Sequence, residues 1–150
     1  MRLLPELFAA NIRIGHIYKL TGSIINHRDP HFFICISNPA PDVFIFVICT
    51  SKVAKYERFI DIGKFEGATL PRVSPANDNN FTKETVVNCN EVFTFSRSEL
   101  VDFYEAGDLD HCEHDMDLDL HVQIQEGIKA NGVMIPSEKK FVISGFKELD

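Results

Sequence analysis

Two apolar runs of strand length stand close together near the middle of the front half. His31-Phe32-Phe33-Ile34-Cys35-Ile36-Ser37-Asn38 and Val43-Phe44-Ile45-Phe46-Val47-Ile48-Cys49-Thr50 are rich in β-branched and aromatic residues, and Pro39-Ala40-Pro41-Asp42 lies between them. Proline withholds a ladder donor and favours a turn, so the pattern predicts a hairpin with strands at 31–38 and 43–50. Neither run alternates with polar residues. Both faces of each strand therefore need covering, by closure into a barrel and by helices or a second subunit. Shorter strands are expected at 15–20 and 58–62, and strand pattern resumes at Thr85-Val86-Val87 and Glu91-Val92-Phe93-Thr94-Phe95. Between them, residues 63–83 are rich in Gly, Pro, Asn and Asp and read as a long loop.

The period changes after residue 95. Ser96 and Glu99 have the spacing of a capping box, in which each side chain bonds the other residue's backbone N–H. Leu100, Phe103 and Tyr104 follow at helical spacing, and Gly107 suits a left-handed stop. Within 115–131, Leu118, Leu120, Val122 and Ile124 alternate as in a strand. Leu120, Ile124 and Ile128 nevertheless share one helical face among Gln, Glu and Lys, and helix is the preferred reading. With no repeats and no linker, residues 1–150 are expected to form one α+β domain. Its β-rich part is 1–95, and 96–150 is an acidic, largely helical extension.

Composition supports a folded chain. The 150 residues are 45% hydrophobic and include thirteen phenylalanines, and a chain this long buries roughly 70% of its unfolded surface without a staple. No apolar run approaches the ~20 residues that cross a bilayer, and Pro5 and Glu6 interrupt the stretch a signal peptide would need. A cytoplasmic location without membrane attachment is the expectation. Cys35 and Cys49 lie inside apolar runs, Cys89 is near another, and no Cys-x-x-Cys pair occurs, so reduced buried thiols are expected rather than disulfides.

Charge is unevenly distributed. Residues 1–83 carry ten Lys/Arg against seven Asp/Glu, and residues 84–150 carry five against fifteen. A polyanion would meet the front half. The run from Glu99 to Glu126, without a single Lys or Arg, reads as a solvated helical face and its connecting loop.

Several residues in the front half fall into a known order. Gly15-His16-Ile17-Tyr18, then His31 through Ser37-Asn38, then Val43 through Thr50-Ser51, resemble the first part of PemK/MazF-type toxins over about residues 15–62. The resemblance implies a small SH3-like β-barrel, commonly a homodimer, that cuts single-stranded RNA without a metal or cofactor and is silenced by an antitoxin protein. Two departures stand out. The family's Asp after glycine is His16, and its Arg-Pro pair, whose arginine is catalytic, is His31-Phe32.

RNA cleavage of this kind needs a base for the 2′-hydroxyl, donors for the phosphoryl oxygens and an acid for the leaving 5′-oxygen. Histidine is the residue type suited to proton transfer near neutrality, so His31 is the expected acid or base. Thr50 and Ser51 would donate to the phosphate, and Arg28, Lys52, Lys55 and Arg58 would bind the RNA backbone. The alternative is a non-catalytic interaction or regulatory module on the same barrel, with His31 an edge residue and Thr50-Ser51 satisfying backbone groups at a strand end. His111, Cys112, Glu113 and His114 invite a metal reading, with Cys89 or His121 to complete it, but four donors in a tight row cannot all face one ion. Asp115, Asp117, Asp119 and Glu126 have calcium-loop spacing, with Leu120 where that loop needs glycine.

Overall fold

The computed structural model describes residues 2–21, 31–38, 42–75, 81–112 and 116–147. Arg28, the proline turn at 39–41, Glu113-His114 and Asp115 lie outside them. The described elements run α1 (Pro5–Ala10), β1 (Ile17–Leu20), β2 (His31–Cys35), β3 (Val43–Thr50), α2 (Val53–Asp61), a 3-10 turn (Gly67–Thr69), β4 (Arg72–Val73), β5 (Thr85–Ser96), α3 (Arg97–Glu105), β6 (Leu109–His111), α4 (Leu118–Ala130) and α5 (Pro136–Lys147).

The expected hairpin is present: β2 and β3 pair antiparallel, with Phe33 opposite Ile48 and Cys35 opposite Phe46. Beyond β2, the buried Ser37 hydroxyl accepts a hydrogen bond from the Ile45 N–H at 3.1 Å and closes the hairpin where the ladder ends. All six strands join one antiparallel sheet in the order β4-β5-β3-β2-β1-β6. That sheet is open among the described residues, with β4 and β6 at its edges, where a closed barrel was expected.

Helices, rather than barrel closure, cover the two apolar faces. On one face Ile17, Ile34, Ile45, Val47 and Val87 pack with Leu120, Ile124 and Ile128 of α4 and Val142 and Phe146 of α5. On the other, Tyr18, Phe33, Phe44, Phe46 and Phe95 pack with Phe8 and Ile12 from α1 and its exit and with Leu100 and Tyr104 of α3. The result is a three-layer α/β/α arrangement on an antiparallel sheet. The acidic back half is integral to it, because β6 pairs with β1 and α4 and α5 form one of the outer layers.

Local signals explain most boundaries. Ser96 Oγ accepts from the Glu99 N–H at 3.2 Å, and Glu99 Oε1 accepts from the Ser96 N–H at 2.9 Å, giving the expected capping box. Gly107 takes φ +82° after α3. The segment around 118–130 is helical, with Leu120, Ile124 and Ile128 buried, which removes the loop that the calcium spacing would need.

Two expectations are corrected. Residues 58–62 belong to a helix and its exit: Val53, Tyr56, Phe59 and Ile60 recur at helical spacing, and Lys55, Glu57, Arg58 and Asp61 take the exposed positions. The region 63–83 is not all loop, since it includes the 3-10 turn and β4, which pairs with β5 at Arg72↔Val86 and Val73↔Thr85.

The two strand segments expected at 85–87 and 91–95 are one strand, β5, broken by a bulge. Val47 pairs with Val92 but Ile48 pairs with Asn88, so Cys89, Asn90 and Glu91 have no partners on β3. Side-chain amides serve this irregular backbone. Asn88 Oδ1 accepts from the Asn90 N–H at 3.0 Å, and Asn131 Nδ2 donates to the Cys89 carbonyl at 2.7 Å. The buried Asn131 also accepts from the Val133 and Met134 N–H groups, at 2.7 and 2.8 Å, tying the α4–α5 turn to the sheet.

All four cysteines are free; Cys35, Cys49 and Cys89 are buried and Cys112 is half-buried. Burial pushes the Cys35 and Cys89 thiols up to about 12, which suppresses the reactive thiolate. No described helix is long and apolar enough to cross a membrane.

Two outcomes follow from this packing. A Cβ at Gly127 would lie 2.8 Å from Cys89 Sγ and 3.0 Å from the Ala68 carbonyl oxygen, so Gly127→Ala should lower stability by ~1–3 kcal/mol, read from urea denaturation. Iodoacetamide at pH 8 should spare Cys35 and Cys89 in the native protein and modify all four thiols after denaturation. Rapid native labelling of either would contradict the burial described here.

Candidate functional site: a histidine–threonine row beside a bulge-built groove

The sheet brings together residues that are far apart in sequence. Extending the β2–β3 register by two residues beyond Phe33↔Ile48 sets His31 opposite Thr50. His31 also pairs with Leu20, and Thr50 pairs with Val86, which pairs in turn with Arg72. The pair Leu20–His31 and the run Thr50–Val86–Arg72 thus lie at the same end of the sheet, two residues beyond the last β2–β3 pair, Phe33↔Ile48. Side chains alternate along a strand, and Phe33 and Ile48 belong to the aromatic face, so His31 and Thr50 share that face. Directly opposed residues have Cβ atoms ~5 Å apart.

His31 and Thr50 are half-buried, while Ser51, Lys52, Lys55 and Arg58 are exposed. Thr50 Oγ1 accepts from the Lys52 N–H at 3.2 Å, a strand-end bond that leaves the hydroxyl proton available to donate. The chain then enters α2, whose N-cap residue, Lys52, makes no side-chain cap. The first-turn N–H groups of that helix lie immediately after Thr50-Ser51, and uncapped groups of this kind favour anions. Arg72, at the same end of the sheet, pairs with Glu57 of α2.

A groove opens where α2 meets the β5 bulge. It has a volume of about 320 Å³ and is lined by Lys55, Tyr56, Phe59, Lys64 and Phe65 together with Asn88, Asn90 and Glu91. Phe59 stands edge-to-face with Tyr56 at 5.5 Å and with Phe65 at 5.8 Å between ring centroids. Lys64 Nζ lies 4.2 Å above the Phe59 ring. Partial burial, and secondarily the Glu91 carboxylate, raise the Tyr56 pKa, and a hydrogen bond with the Asn88 side chain pulls the other way. The net effect keeps the phenol protonated and able to donate.

Sequence reasoning singled out Lys55 but missed Tyr56, Phe59, Lys64, Phe65 and the bulge. The signal was the interleaving Lys55-Tyr56, Arg58-Phe59 and Lys64-Phe65, which gains meaning only once α2 is a helix. Bulges concentrate beside functional sites because they re-aim side chains, and here three successive residues escape pairing with β3.

Other candidate histidines meet neighbouring rings. His16 stacks on His111 at 4.9 Å, and its Nδ1 lies 3.4 Å from the Tyr18 hydroxyl. His121 stands edge-on to Phe146 and occupies the space beside Gly15, where a Cβ would come within 2.3 Å of its ring. Among the described residues no group of three or more His, Cys, Asp or Glu side chains is arranged to hold a metal ion. No protein-family model matches this chain, and neither does any curated protein.

Proposed function

We propose that the chain binds single-stranded RNA and cleaves it without a metal, as the PemK/MazF-type resemblance implies. The observation that carries this reading is that His31 begins β2 and Thr50 ends its antiparallel neighbour β3 at the same end of the sheet, next to the start of α2, where Lys52 makes no side-chain cap. In the reaction the 2′-oxygen attacks the neighbouring phosphorus and the bond to the 5′-oxygen breaks, leaving a 2′,3′-cyclic phosphate and a 5′-hydroxyl. His31 takes the 2′-hydroxyl proton or supplies one to the departing 5′-oxygen, and solvent water serves the other transfer. The Thr50 and Ser51 hydroxyls and the first N–H groups of α2 donate to the phosphoryl oxygens, where charge builds up, and Lys52 adds positive charge.

The open six-stranded sheet departs from the closed SH3-like barrel of that family. The reading therefore stands on the strand residues and their register rather than on barrel closure. A second reading, a non-catalytic RNA- or protein-binding module, is favoured by one detail: the Thr50 hydroxyl already serves the Lys52 N–H as a strand-end cap.

Incubating the purified protein with a long mixed-sequence RNA in EDTA distinguishes the two. The cleavage reading expects cutting with cyclic-phosphate ends, and His31→Ala should slow it by ~10²–10⁴-fold while the circular dichroism spectrum stays unchanged. A folded wild type that cuts nothing, or a His31→Ala variant that cuts at the wild-type rate, would overturn it.

A further inference from the structure

Helix α2 is amphipathic, yet none of its residues is fully buried. Its aromatic side, carrying Tyr56 and Phe59, is only half-covered, and Phe65 beyond the helix is half-covered as well. Apolar surface left at the rim of a packed domain, flanked by Lys55 and Lys64 and facing amides on an irregular strand, is not a solvated face. The mixture has a chemical meaning: rings offer stacking surface to a planar partner, and lysine ammonium groups offer charge to a phosphate. Glu91, on the bulge, adds a carboxylate close enough to raise the Tyr56 pKa.

We infer that this groove is a nucleobase subsite that selects, within single-stranded RNA, a base bearing an exocyclic amino group. The inference rests on the RNA-binding reading above and names the part of the RNA that reading leaves open. Stacking on Phe59, with Phe65 edge-on to the base and the Lys64 ammonium displaced from above the ring, is indifferent to sequence, because every base presents a π-face. Selectivity comes from Glu91: its oxygens accept from the amino group of cytosine, adenine or guanine and oppose the O4 acceptor of uracil. Lys55 and Lys64 meet the flanking phosphates. The groove is lined by α2 and β5, Thr50 lies just before α2, and β2 and β5 are two strand spacings apart, ~10 Å. A chain threaded past the start of α2 would present a base to one and a phosphate to the other.

Fluorescence anisotropy with 2′-O-methyl oligonucleotides tests this, because the methylated ribose cannot supply the nucleophile and the readout is blind to cleavage. Oligo(C) should bind about tenfold more tightly than oligo(U), and Phe59→Ala should weaken oligo(C) at least about fivefold. Should Phe59→Ala not fold, the exposed Glu91→Gln serves instead: an amide also donates to uracil O4, so the preference for oligo(C) should vanish while binding persists. Equal affinity for both homopolymers in the wild type, or an unchanged preference in Glu91→Gln, would overturn the subsite. If the wild type cuts mixed RNA but shows no base preference, the groove assignment alone fails. Base-selective binding by a chain that cuts nothing removes the cleavage reading and leaves the groove standing.

Discussion

A central hairpin that is apolar on both faces governs everything else in this molecule. Phe33, Ile34, Cys35 and Ile36, and Phe44 through Cys49, are all buried, so water must be excluded from above and below the sheet. A helix layer on one side would leave half of these side chains wet. The chain meets the constraint with α1 and α3 against the aromatic face and α4 and α5 against the aliphatic one. The acidic back half is thus obligatory cover, and its charge faces outward because its apolar stripes face in.

Covering a sheet on both sides leaves few half-buried margins, and two of them lie at irregularities in this sheet. At the end of the β2–β3 hairpin the ladder gives way to α2, and His31 and Thr50 are left half-buried at its margin. In β5 the bulge releases Cys89, Asn90 and Glu91 from pairing. An unpaired buried backbone group is costly, and Asn88 and Asn131 offset that cost with the amide bonds that hold the bulge. The same irregularity turns Asn90 and Glu91 toward the aromatic side of α2. A structural need and an open groove thus arise from a single deviation in register.

Much of the fold could be read in the sequence because its signals were local or strictly periodic. The hairpin came from two apolar runs around a proline pair, and α3 from the Ser96–Glu99 box. The helical face of α4 came from Leu120, Ile124 and Ile128. The errors share a cause. Residues 58–62 looked like a strand because Phe59, Ile60 and Ile62 are β-formers, whereas the tertiary context let the 3.6 period from Val53 prevail. Sheet closure could not be judged, since nothing local states which strands will be edges. Of the candidate site, His31 and Thr50 were legible as strand ends. The groove was not, because it depends on a bulge that reads in sequence as a polar gap, Asn88-Cys89-Asn90-Glu91, between two strands.

The central claim is that one stretch of RNA spans both features, with a phosphate at the His31–Thr50 row and a base in the groove behind α2. A crystal structure of the protein with a short 2′-O-methyl oligonucleotide containing cytosine tests it most directly. The account predicts a base stacked on Phe59 with its amino group at Glu91, and a neighbouring phosphate within hydrogen-bond reach of Thr50 and His31. An oligonucleotide lying on another surface, or a groove filled by the protein's own side chains in the complex, would contradict it.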